Sequence, residues 1–165
     1  MTISQSKKLL RKSNNIEKAN WPFFIYQIMI EYIINISTGC MIYQETKNQE
    51  IKGSSLAYIK RLCEEHLFTY SGYLKAIKRN FSISHKVPLC ISDTILLIPS
   101  KRTRDYDNIW INYATIFRIL EIDSQTKIIF YSGHELYVNI TRKTLNKQIR
   151  YLEEIRNTKV KHFHR

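Results

Sequence analysis

The chain has 165 residues, 44% of them hydrophobic, with only four Gly and three Pro, a composition that fits one folded unit with a core of moderate size and excludes collagen-like and low-complexity chains. Lys and Arg number 26 against 14 Asp and Glu, so the formal charge is +12; this favours anionic partners, with nucleic acid first and an anionic membrane surface or an acidic protein behind it. Cys40, Cys63 and Cys90 are too few and too widely spaced for a disulfide framework or a zinc site, and read as reduced, buried thiols of a cytoplasmic protein.

Residues 1–20 hold Lys7, Lys8, Arg11, Lys12 and Lys18 against Glu17 alone and are expected to form a basic N-terminal arm. Residues 21–157 are then a single domain, and residues 158–165 a basic tail, with fraying expected from Arg156 onward. The most apolar stretch, residues 21–37, is interrupted by Pro22, Glu31 and Asn35. It falls short of the roughly 20 residues of a membrane span and reads neither as one nor as a signal peptide.

Residues 23–36 are dense in β-branched and aromatic side chains and predict a strand or a bent strand pair, with a turn at Gly39 and a return strand over residues 40–43. Polar residues 44–52 read as a loop. Ser54 or Ser55 is a good helix N-cap. Behind it Leu56, Ile59, Leu62, Cys63 and Leu67 recur at helical spacing, and Tyr73, Leu74 and Ile77 resume the stripe in one helix, or two separated near Gly72. After Pro88 the pattern becomes strands at residues 89–92, 94–98, 110–122, 126–132 and 135–140, the last three an antiparallel meander with turns at 123–125 and 132–134. Thr141 or Thr144 caps a final helix whose apolar stripe is Leu145, Ile149, Leu152 and Ile155. The fold class is α+β: mostly antiparallel β-sheet with one central helical segment and a C-terminal helix.

Basic residues recur in four segments separated by strands that carry few charges: Lys7 to Lys18; Lys60 to Arg79, with Lys60 and Arg61 as its candidate contacts; Lys101 to Arg104, with Lys101, Arg102 and Arg104; and Arg142 to Arg150, with Arg142, Lys143, Lys147 and Arg150. Brought to one face, they would neutralise phosphates with a steep salt dependence; dispersed, they make only a soluble basic surface. The segment around Lys101, Arg102 and Arg104 lies between Pro99 and the turn formers Asp105, Asp107 and Asn108, so it reads as a flexible loop. An arginine-bearing loop suits a narrow A/T minor groove. His85 and Lys86 suggest a general base beside a phosphate clamp, but His85 has no nearby carboxylate other than Asp93, so a structural or phosphate-contacting role is the better reading. The absence of a glycine-rich phosphate loop, a dinucleotide fingerprint and metal-ligand spacing implies no cofactor, no metal site and no enzyme.

Gly53-Ser54-Ser55, Ser84-His85-Lys86-Val87-Pro88-Leu89, and Ile98-Pro99 followed by Trp110-Ile111-Asn112, with residues 144–152 closing the set, stand in an order that resembles the ComK family of bacterial competence transcription factors. The resemblance covers roughly residues 40–152. Lys52, where an aromatic is common, and Ile59-Lys60-Arg61, where a Gly-Arg pair is expected, depart from the pattern. The resemblance implies a DNA-binding activator of competence genes that binds paired A/T-rich boxes mainly through the minor groove, as a dimer or tetramer. It also implies RNA polymerase and a protease adaptor as partners, and a bacterial cytoplasm with association to the nucleoid. Two alternatives stay open. Trp110 and the tyrosines allow a single-stranded DNA or RNA binder, marked by exposed aromatics in a row on one sheet face, and a protein-interaction module of the same fold remains.

Overall fold

The computed structural model describes residues 29–163, so the basic N-terminal arm and the first residues of the expected strand over 23–36 lie outside the described part. Among the described residues nine strands and three helices follow in the order β1 (Ile30–Ile36), β2 (Gly39–Gln44), β3 (Asn48–Ile51), α1 (Ser55–Glu65), α2 (Tyr70–Phe81), β4 (Leu89–Ser92), β5 (Ile95–Pro99), β6 (Trp110–Asn112), β7 (Ile116–Ile122), β8 (Gln125–Phe130), β9 (Glu135–Val138) and α3 (Arg142–Phe163). The fold class is the expected α+β. Six strands form one antiparallel sheet in the order β3-β2-β1-β6-β5-β4, and β7-β8-β9 form a second.

The larger sheet is buried on both faces at β4, β5 and β6, which is why β5 reads Ile-Leu-Leu-Ile-Pro without a polar residue. Ile95 and Leu97 of β5 and Trp110 of β6 point into one core with Ile33, Ile42 and the α1 residues Ile59, Leu62 and Cys63. Their alternates Leu96, Ile98 and Ile111 point into a second core with Ile77 of α2, Ile128 and Phe130 of β8, and Leu145, Leu152 and Ile155 of α3. All three cysteines are buried and free. Burial pushes the Cys63 thiol up to about 11 and raises those of Cys40 and Cys90, so none is a ready thiolate.

Four local expectations are corrected. The segment read as a loop over 44–52 contains the edge strand β3, whose polar sequence hides it because an edge strand faces water. It lies so close to β2 that a Cβ on Gly39 would collide with the Ile51 carbonyl oxygen. The central helical segment breaks at residues 66–69 rather than at Gly72: Leu67 is left-handed at φ 65°, and Thr69 restarts the helix by accepting the Gly72 N–H at 3.1 Å. The expected long strand over 110–122 is cut by a 3-10 turn at Tyr113–Thr115. The cause is the fully buried Asn112. Its Oδ1 accepts from Leu96 N and Ala114 N, its Nδ2 donates to Ile30 O and Thr94 O, and the chain is bent out of the first sheet into the second. The end expected to fray from Arg156 is helical through Phe163. Lys159 on it donates to the Cys90 carbonyl at 2.6 Å and lies 5.3 Å from the Phe68 ring.

Candidate nucleic-acid interface

The Ser-His-Lys segment occupies the turn from α2 into β4. Tyr73 fixes this turn from inside the fold: its hydroxyl donates to Pro88 O and accepts from Cys90 N, both at 3.0 Å. Ile83 and Val87 are buried and hold the turn to the core, leaving Ser84 and His85 exposed between them and Lys86 partly so. Ser82 and Lys86 both take left-handed backbone, φ 57° and 48°, which turns the chain sharply at each end.

The loop over residues 100–109 joins β5 to β6 and is tied rather than loose. Ser100 N donates to Ile109 O at 2.9 Å and Ile109 N to Ser100 Oγ at 2.8 Å, while the buried Asn108 accepts the Lys101 N–H at 2.9 Å. Asn35 of β1 reaches across, donating to Tyr106 O and accepting from Ser55 N, each at 2.7 Å. One side chain thus binds the loop to the first turn of α1, where Gly53 at φ 95° and the N-cap Ser54 make the Gly-Ser-Ser corner. The expected flexibility gives way because Asn35, Ser100 and Asn108 take up the loop's backbone donors and acceptors.

Between the α2–β4 turn, this loop and α3 lies a groove of about 610 Å3. It brings together His85 and Lys86 from the turn, Arg102 from the loop and Lys147 from α3, with Phe81, Gln148 and Tyr151 as walls and no carboxylate in its lining. Lys147 lies 5.6 Å from the Tyr151 ring. Lys143 and Arg150, exposed one turn to either side of Lys147, extend the same helix face.

The other predicted residues do not line this groove. Lys60 and Arg61 are exposed on α1, Arg61 lying 5.9 Å from the Tyr58 ring. Arg142 is exposed at the start of α3, off the stripe of Lys143, Lys147 and Arg150. Lys101 is ion-paired with Asp107 inside its own loop, and its ammonium holds that carboxyl below its usual range. Arg104 lines a separate hollow of about 410 Å3 with Gly53, Ser54, Thr38 and Tyr106.

Sequence reasoning missed two groups. Asn35 was only an interruption in a strand, and nothing local signals its tie to residues 71 positions away. Glu31 is 1% exposed, accepts from the Ser132 hydroxyl, and has Oε2 2.7 Å from His134 Nδ1. It joins β1 to the β8–β9 turn across the two sheets, and no sequence signal could pair residues so far apart.

Three motifs of the resemblance are thus corners of this fold, the α1 cap, the turn under the groove and the exit from β6, while Ile98-Pro99 closes β5 and residues 144–152 lie in α3. The family model described as ComK protein matches residues 26–161. The chain belongs to the ComK family, a family of competence transcription factors. Comparison with curated proteins and with solved structures finds no match. Among the described residues no helix is long and apolar enough to cross a membrane, and no group of His, Cys, Asp and Glu is placed to hold a metal ion.

Proposed function

We propose that this chain activates competence genes by binding A/T-rich duplex DNA, mainly through the minor groove, as a dimer or tetramer in the bacterial cytoplasm. RNA polymerase and a protease adaptor are its protein partners in this reading. The observation that supports it most is the groove, in which four basic side chains from three separate segments converge without a carboxylate. Such a set attracts a polyanion, and DNA neutralises it while releasing counterions. Lys143 and Arg150 widen the basic surface along α3, and the loop beside the groove presents Arg102 and Arg104.

A salt-titrated competition between an A/T-rich duplex, a G/C-rich duplex and single-stranded DNA tests this reading. The A/T duplex should win, and the logarithm of the binding constant should fall linearly with the logarithm of salt. Equal affinity for the G/C duplex would leave only nonspecific attraction.

A second reading, a single-stranded nucleic-acid binder, draws on Phe117 and Tyr137 of the smaller sheet and Tyr131 of its β8–β9 turn, which are 60%, 50% and 72% exposed. It is weaker because Lys127, the lysine in that sheet, is ion-paired with Glu135 at 2.8 Å, which leaves Arg118 as the sheet's one exposed cation without an ion pair.

A further inference from the structure

Among the described residues Lys101 is paired with Asp107, Lys127 with Glu135 and Arg156 with Asp93 at 3.3 Å, and Lys159 has the Cys90 carbonyl, while most other lysines and arginines have no carboxylate partner. The groove is set apart by bringing several of these cations together. Among the described residues His85, Arg102 and Lys147 have no carboxylate partner, and Lys86 has only the Ser100 carbonyl, at 3.4 Å. Placing like charges around one concavity is unfavourable until an anion enters it. The backbone points the same way: Lys86 keeps a lysine at φ 48°, where glycine would be less strained. At the wall of the groove Gln148 is 7% exposed and its amide oxygen has no partner, so the polar pairing there is incomplete.

We propose that this groove is a clamp for one backbone phosphate of duplex DNA, closed from three sides by Lys86, Arg102 and Lys147, and that Arg104 stands outside the clamp. The inference rests on the DNA-binding reading above and deepens it by naming the phosphodiester as the ligand and separating the loop's two arginines. The volume of about 610 Å3 leaves room for the sugars on either side of the phosphate, against which Phe81 and Tyr151 present apolar walls. Arg104 is different because its hollow holds no second cation: Thr38, Gly53, Ser54 and Tyr106 around it are neutral. A lone guanidinium in neutral surroundings is free to enter a narrow A/T minor groove, whereas one among other cations is committed to phosphate.

The test uses the full chain and an A/T-rich duplex in which single phosphates are replaced, one at a time along both strands, by uncharged methylphosphonates. Dissociation constants are measured at one salt concentration for wild type, Arg102→Ala, Arg102→Lys, Lys147→Ala and Arg104→Ala. At one phosphate position the replacement should weaken wild type roughly tenfold. The same replacement should weaken Arg102→Ala and Lys147→Ala by less than twofold, because the contact is already gone, and Arg104→Ala by the full amount. Arg102→Lys should recover most of the affinity with an unchanged A/T-to-G/C ratio. The substituted side chains lie at the surface, and the wild-type arm of the series depends on no variant. The clamp is overturned if every replacement weakens Arg102→Ala as much as wild type, or if Arg102→Lys lowers the A/T-to-G/C ratio. A wild type with neither A/T preference nor salt dependence would overturn the DNA reading and the clamp together. Additive losses in a wild type that does prefer A/T would overturn the clamp alone.

Discussion

The groove beside α3 and the outer face of the β7-β8-β9 sheet are both exposed, and they offer a nucleic acid opposite chemistry. The groove gathers cations that have no carboxylate partner, whereas the sheet face shows aromatic rings with its lysine engaged and a single exposed arginine, Arg118. There Phe117 and Tyr131 meet edge to face with centroids 5.5 Å apart, and Lys127 lies 5.5 Å from the Tyr137 ring as well as beside Glu135. Aromatic exposure alone therefore says little about nucleic acid: the rings pack on one another, Lys127 is paired, and Arg118, 5.9 Å from the Phe117 ring, is the sheet's one exposed cation without an ion pair. What separates the two regions is whether several unanswered charges converge.

The largest expected effect on binding comes from emptying the first region. Lys86→Ala combined with Lys147→Ala should weaken duplex binding by about 8-fold near 0.1 M salt and lower the salt slope by about one, since one lost phosphate contact removes about 0.9 from that slope. Anisotropy titrations at several salt concentrations measure both quantities. Retention of full affinity would erase the contrast between the two faces.

Glu31 couples the regions mechanically, because it sits on β1 of the large sheet and holds the turn of the small one. Glu31→Gln keeps the shape but removes a buried charged acceptor, and hydrogen bonds to charged groups contribute about 1.5–3 kcal/mol each. A loss of about 2 kcal/mol in urea unfolding is expected, with the DNA affinity of the folded protein unchanged. If affinity fell with stability, the groove would depend on the docking of the second sheet, and the two regions would not be separable.

What could be read in advance divides along the same line. The strands, the capping serine and the C-terminal helix follow from alternation, helical periodicity and local capping, and these act within a few residues. Nearly all the candidate basic residues were identifiable as charges, yet only His85, Lys86, Arg102 and Lys147 share a groove. Convergence depends on Tyr73, Asn35 and Asn112, whose hydrogen bonds reach across 15, 71 and 82 positions. Asn112 is the clearest case: its neighbours have the alternation of one continuous strand, and a single buried amide diverts the chain into another sheet. The polar strand β3 was hidden for the converse reason, since its pairing with β2 is specified by main-chain bonds and not by apolar side chains.

Alkaline pH should act on the core and the sheet junction. Burial holds the Cys63 thiol at about 11 against an ordinary 9.0, and the Tyr32 phenol at about 12 against 10.0. Tyr32 stacks on Tyr43 at 4.2 Å and on Phe130 of the second sheet at 5.6 Å. Both groups have raised values, so the fold favours their neutral forms; their contribution is complete below pH 9 and is lost as the pH rises through 11 and 12. The thermal midpoint should therefore be little affected by these groups from pH 7 to 9 and decline above 9, and a thiol-reactive probe at pH 8 should label the folded protein far more slowly than the unfolded one. Rapid labelling of the native chain would show that the buried thiols are not held as described.

The smallest effect is expected where the aromatic residues are most exposed. Phe117→Ser together with Tyr131→Ser removes the edge-to-face pair from the outer sheet surface, where substitutions usually shift stability by within about 0.5 kcal/mol each. If that surface were a platform for unstacked bases, losing two rings would cost about 1–3 kcal/mol per stacked base, and single-stranded affinity would fall by at least tenfold. The contrast between the two faces instead requires single-stranded and duplex affinities to stay within about twofold of wild type, because Lys86, Arg102 and Lys147 converge in the groove whereas this sheet offers only Arg118 without an ion pair. A single-strand titration of the double variant at low salt, where weak stacking sites are easiest to detect, decides between them. A large loss confined to single strands would move the aromatic face from a surface without a nucleic-acid role to a second binding site.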